Sequence, residues 1–228
     1  MNNPLDVVIA PSRLFSDLRR QPSWLVTFAA ITVVSMVVEW FSFRFALEGT
    51  VSRLPQRATE EMMQDAIRYL EGRRVINVAL VPLKVGVPMA VFSFVIYLVC
   101  SVSKPVSLPH WRHFLAVVVW AGWTPTVGKV VALLTRFLAG APSPASGSAI
   151  PQTLGLGMVQ LTSKDPGLLY ILNGLNIFSI WYILLVSLGV SILCSITRRK
   201  GIAIVASVWV FGLLVSAALL RLAVGGVQ

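Results

Sequence analysis

Leu169-Tyr-Ile-Leu-Asn-Gly-Leu-Asn-Ile-Phe-Ser-Ile-Trp-Tyr-Ile-Leu-Leu-Val-Ser-Leu-Gly-Val-Ser-Ile-Leu-Cys-Ser-Ile196 contains no Asp, Glu, Lys or Arg. The basic triplet Arg198-Arg199-Lys200 follows closely, and a second apolar run then covers residues 202–222. About 20 apolar residues in a helix cross about 30 Å of hydrocarbon. Each of these runs is therefore long enough to span a bilayer, and the triplet between them marks a turn at headgroup level. The apolar residues are continuous rather than alternating, which favours helices over the strands of a barrel.

Working outward, three more stretches qualify: residues 23–43, 76–102 and 114–137. The composition agrees. Of 228 residues, 56% are hydrophobic and 12% charged, about half the charged fraction of a water-soluble domain. A soluble domain this apolar would expose large adhesive patches, which excludes an ordinary cytosolic enzyme, a disordered chain and a secreted disulfide scaffold. The expected fold is an all-α bundle of five membrane helices forming a single domain over residues 1–228. The net charge of +10 sits at the ends of apolar runs, where it meets anionic headgroups, so nucleic acid is not an expected partner. Cys100 and Cys194 each lie inside an apolar run and form no CxxC pattern.

Outside the spans, Pro11 suits the first turn of a short helix in which Leu14, Phe15 and Leu18 share a face opposite Arg13, Asp17 and Arg20. Such a helix either lies flat at the membrane interface or packs on the bundle. The charges before residue 23 and the full length of the first span argue against a cleavable signal peptide. After that span, Thr59 is placed to cap an amphipathic helix with Glu60 and Glu61 in its first turn. Met62, Met63, Ile67 and Leu70 give it an apolar stripe, and Gly72 is placed to end it. Residues 140–151 are small, Pro-rich and almost uncharged, as in a loop. Basic residues fall on both sides, but the tight Arg198-Arg199-Lys200 turn favours a cytoplasmic N-terminus in a cell inner membrane.

Ionisable residues inside spans are costly and therefore informative. Glu39 lies near the end of the first span, and Lys84 and Lys129 each lie about 12 Å inside the same half of the bilayer. Asn173 and Asn176 fall in that half too. These five residues form the candidate polar cluster. It reads either as a cavity for an anionic headgroup or carboxylate, or as a lock between helices, or as lysines snorkelling to the surface. Pro82 and Pro88 bracket Lys84, and Thr124-Pro125-Thr126 precedes Lys129. Kinked helices often line transport sites, which makes a transporter or channel component the competing function.

Motifs for catalysis are weak. His110-Trp-Arg-His113 lacks a nearby acidic or thiol ligand. Glu60-Glu61 lacks the arginine that accompanies such pairs in intramembrane proteases, and Ser146-Gly147-Ser148 has no partner base. No catalytic, metal or cofactor residues are therefore expected, and the chain reads as a non-enzyme. Ser187, Gly189 and Ser191 in the fourth span, and Gly212 and Ser216 in the fifth, suggest close helix contacts within the chain.

The segments Pro11-x-x-x-Phe15-x-x-Leu18 and Gln21-Pro22-Ser23-Trp24, with Phe178-x-x-Trp181 before a Gly- and Ser-containing run, a basic turn and a final span, resemble bacterial members of the Yip (Ypt-interacting protein) family. The resemblance covers the whole chain. It implies a five-helix membrane bundle with a cytosolic N-terminus; the reading of the whole chain adds membrane lipids or membrane proteins as partners, self-association included. The chain lacks the long N-terminal region and the Asp-Leu-Tyr-Gly-Pro-type motif of eukaryotic relatives, so binding of Rab-type GTPases does not carry over.

Overall fold

In the computed structural model, residues 6–51, 60–103, 105, 107–139 and 166–225 are described. They form ten helices: α1 (Asp6–Ile9), α2 (Pro11–Arg20), α3 (Leu25–Val51), α4 (Glu60–Ala79), α5 (Val81–Val102), α6 (Trp111–Ala121), α7 (Trp123–Ala139), α8 (Pro166–Gly174), α9 (Ile177–Cys194) and α10 (Arg198–Gly225). Five segments are long and apolar enough to cross a membrane: Leu25–Phe43, Val81–Val102, Trp111–Thr135, Ile177–Cys194 and Arg198–Leu222. The chain is a multi-pass membrane protein. Large apolar side chains cover its outside, with Val26 85% and Leu138 87% exposed, as a bilayer-facing surface requires and a water-facing one does not tolerate.

The centre of the bundle is α6. Every residue from Phe114 to Ala121 is buried, because α5, α9, α2 and α3 surround this helix. A helix that is apolar on all sides belongs in such a position. Two indoles anchor it: Trp120 Nε1 donates to the Ser23 carbonyl at 2.8 Å and Trp111 Nε1 to Ser93 Oγ at 3.0 Å. Small residues let the neighbouring helices close in. A Cβ on Gly189 of α9 would stand 2.3 Å from Val117 Cγ1, and one on Gly201 of α10 would stand 2.7 Å from the Ser187 carbonyl oxygen. Gly212 behaves differently from its expected role: a Cβ there meets nothing within 4 Å, and with Ser216 it lines a cavity of about 510 Å³ between α5 and α10.

Several expected boundaries move, each for a local reason. The second span begins at Val81 rather than residue 76, because Pro82 starts a new helix after the turn at Leu80. Upstream, α4 runs through Gly72 to Ala79; glycine weakens a helix interior but does not by itself stop one. The fourth apolar run breaks into α8 and α9 at Leu175 and Asn176, and only α9 reads as a span. The third bends between α6 and α7 at Gly122, where a Cβ would meet Met89 Cε at 2.4 Å. Pro125 is then the third residue of α7, in the first turn, where its missing N–H costs nothing. Thr59, the Pro-rich loop 140–151 with Ser146 and Ser148, and Arg53, Arg57, Lys104 and Lys164 lie outside the described residues, as do the side chains of Met62, Met63 and Asn173.

The N-terminal helix packs on protein. Leu14, Phe15 and Leu18 are at most 2% exposed and meet α9 and α6. Val7 and Val8 border a cavity with Phe178 and Trp181 in the first turns of α9, while Arg19 Nη1 donates to the Ile192 carbonyl at its other end. Thus α1 and α2 lie along the side of α9. Ser107 Oγ donates to the Leu193 carbonyl, so Arg19 and Ser107 together satisfy the last carbonyls of α9 where Ser195 (φ 53) turns the chain. The opposite end of the bundle carries α4.

Candidate functional site at the α4 end of the bundle

The site is assembled from α3, α4, α5 and α7. Glu39 sits four residues from the end of its span, about 6 Å inside, and Lys129 six residues from the end of its own, about 9 Å inside. Lys84 is the fourth residue of Val81–Val102 and directly precedes Val85, which packs with the buried Ile31, Leu115 and Val119, so its backbone lies beside the middle of α3 while its ammonium reaches back to Glu39.

Lys84 Nζ meets Glu39 Oε1 at 3.4 Å and donates to Asn77 Oδ1 at 3.3 Å. Glu39 and Lys84 keep 41% and 47% of their side-chain surface exposed. Lys129 is more enclosed and lies within electrostatic reach of both. Lys84 therefore turns toward Glu39 and not singly into lipid. A pair this exposed adds little stability, because solvent and headgroups screen it; the grouping of charge is the informative feature.

Arg74 and Asn77 are further members, absent from the sequence expectation: Arg74 precedes the expected second span, Asn77 is the second residue of it, and both belong to α4. They stand one turn apart on that helix. The Arg74 guanidinium lies 3.5 Å over the Trp40 ring and 5.0 Å from that of Phe43, and its Nη2 donates to the Trp40 carbonyl at 3.4 Å. Cation–π contact fixes the guanidinium plane on the residue next to Glu39. Arg74 Nε is buried and finds no hydrogen-bond partner among the described residues. The Arg74-x-x-Asn77 spacing ahead of Pro82 was the available signal.

The asparagines stand at the break between α8 and α9. Asn176 caps α9, its Oδ1 accepting from the Ser179 N–H at 2.8 Å, as Asn commonly does at a helix start. Asn173 belongs to the neighbouring helix α8 by its backbone. Prolines matter less as kinks than their number suggests: Pro82 and Pro125 lie in first turns, and Pro88 is interior to α5.

Chemically, the described part of the site presents three cations, Arg74, Lys84 and Lys129, around one carboxylate, Glu39. Such a set suits an anion better than a cation. His113 Nδ1 stays near the His110 carbonyl at 3.2 Å, at the start of α6, and Glu60 and Glu61 open α4 on its exposed surface. At the Arg19 end, sequence reasoning missed one further association. Cys100 of α5 and Cys194 of α9, both buried and free, lie close to one another.

Comparison with known protein families, with curated proteins and with solved structures finds no match to this chain.

Proposed function

We propose that this multi-pass membrane protein is a non-enzymatic binder of anionic lipid, whose headgroup Arg74, Lys84 and Lys129 receive at the α4 end. One observation carries the reading. Among the described residues of the site, Arg74, Lys84 and Lys129 gather around the single carboxylate Glu39. A lipid phosphate beside them supplies the negative charge that Glu39 alone does not. Exposure of Lys84 and Glu39 leaves the site open toward the bilayer. The resemblance to bacterial Yip-type proteins is consistent with a lipid- or protein-organising role in an inner membrane, with the N-terminus cytoplasmic and Arg198-Arg199-Lys200 on the same side. A transporter is the second reading, favoured by the helix breaks at Gly122 and at Leu175-Asn176.

The test is lipid selectivity. The protein is placed in nanodiscs of mixed phosphatidylglycerol and phosphatidylcholine, and the retained lipid is counted by native mass spectrometry. Each of Arg74→Met, Lys84→Met and Lys129→Met is expected to reduce the preference for the anionic lipid about fivefold, from about 1 kcal/mol per cation near a membrane surface. An unchanged preference in the folded triple variant overturns the proposal. Selectivity lost together with solute flux in proteoliposomes turns the reading to transport.

A further inference from the structure

The same helix that supplies Glu39 carries two hydroxyls that the headgroup site does not use. Thr32 and Ser35 are 7% and 6% exposed, and neither Thr32 Oγ1 nor Ser35 Oγ has a hydrogen-bond partner among the described residues. Four other buried hydroxyls in the spans donate to carbonyls of their own helix: Ser93 to Ala90, Thr126 to Gly122, Ser187 to Ile183 and Ser191 to Leu188. That is the ordinary solution in an apolar medium, where every unpaired polar group is costly. Thr32 and Ser35 depart from it.

Their placement is not scattered. At 100° per residue, Thr32, Ser35, Glu39 and Ser42 fall within about 80° of one another on α3. Ser42 is itself buried, at 8% exposed. The direction of this stripe follows from its neighbours. Glu39 reaches Lys84 of α5 and interacts with Lys129 of α7, so the stripe faces the cleft between those helices. Below it, Ile31 packs with Leu115 and Val119, all three buried, in an apolar cluster that Phe28, Val85 and Met89 extend.

We infer that water enters this cleft from the α4 end and follows the α3 stripe past Glu39 and Ser35 to Thr32. This makes a hydrated half-channel that stops at the Ile31–Leu115–Val119 plug. From the end of the span at Phe43 to Thr32 is about 16 Å along the helix, half of the hydrocarbon thickness. Water at that depth gives the two hydroxyls their missing partners. It also keeps the Glu39, Lys84 and Lys129 charges solvated inside the span. The half-channel stands independently of the headgroup reading, since the Thr32 and Ser35 geometry carries it whether or not a lipid binds above.

Cysteine accessibility tests it on the full chain. Thr32→Cys, Ser35→Cys, Ser42→Cys and, as a plug control, Ile31→Cys are exposed to a small, charged, membrane-impermeant methanethiosulfonate. The reagent is applied in sealed vesicles of either orientation, and the modified peptide is located by mass spectrometry so that Cys100 and Cys194 can stay in place. Modification is expected at positions 42 and 35 from the α4 side only, more slowly at 32, and at least tenfold more slowly at 31. Serine to cysteine is close to isosteric, so positions 35 and 42 decide the matter even if the variant at position 32 fails to fold. Inert cysteines at both 32 and 35 overturn the inference, because hydroxyls turned dry onto the carbonyls behind them leave no water path. Equal modification from both sides also overturns it, since the plug would then be open.

Discussion

Gly189→Ala is a one-carbon test of the packing that holds α6 at the centre. The added Cβ would lie 2.3 Å from Val117 Cγ1, 3.0 Å from Cγ2 and 3.3 Å from Cβ, where carbon atoms prefer about 3.5–4.0 Å. Val117 cannot step aside. It is fully buried, and a β-branched side chain in a helix is held close to one χ1 rotamer. Helices α6 and α9 must therefore part by roughly an ångström, and overpacking of this kind costs about 1–3 kcal/mol. Alanine also gains up to about 1 kcal/mol over glycine in helix propensity, which would blur the result if one site were measured alone. Gly212→Ala supplies the reference, because a Cβ there meets nothing within 4 Å and only the propensity gain remains. The gap between the two variants is then the overpacking cost itself. Equilibrium unfolding in mixed detergent micelles measures both. Adding Val117→Ala to Gly189→Ala should recover part of the loss, a favourable coupling between contacting sites. Equal stability of Gly189→Ala and Gly212→Ala, or no relief from the second substitution, would refute the packing argument.

Two further perturbations probe single hydrogen bonds. Trp120→Phe keeps the ring but removes the Nε1–H bond to the Ser23 carbonyl at 2.8 Å. The same unfolding titration should show a loss of about 1 kcal/mol, and no loss would mean that the link between α6 and the start of α3 contributes nothing. Asn176→Ala removes the cap on the Ser179 N–H, at a cost of about 1 kcal/mol. Faster amide exchange confined to the first turn of α9 is the expected signature, and uniform exchange throughout α9 would contradict it.

The sites that sequence reading reached and missed divide along a physical line. Glu39, Lys84 and Lys129 stand out because charge inside an apolar run is rare and costly, and that is visible in one dimension. Arg74 and Asn77 do not stand out, because one precedes the expected second span and the other is an uncharged residue at its very start; only the fold of α4 back onto Trp40 makes them neighbours of the cluster. Asn176 was legible as polar, but its cap required knowing that an unbroken apolar run divides at Leu175. Gly72 and Gly212 show the same limit from the other side. A glycine permits a helix stop or a close contact without compelling either, so its neighbours decide.

The sequence by itself determines that this chain is helical and multi-pass, because span length, scarce charge and basic turns follow directly from the cost of placing polar groups in hydrocarbon. It also places Thr32, Ser35, Glu39 and Ser42 on one helical stripe, since α-helical periodicity is a local property. Which way that stripe faces, and which cations meet Glu39, only the tertiary structure decides. The same holds for the meeting of Cys100 with Cys194 and for the amphipathic face of α2, which turns onto α9 and α6. The rotation of each helix about its axis is set by side-chain fit between segments far apart in the chain, as at Gly189 against Val117, and hydrophobicity alone leaves that rotation undetermined.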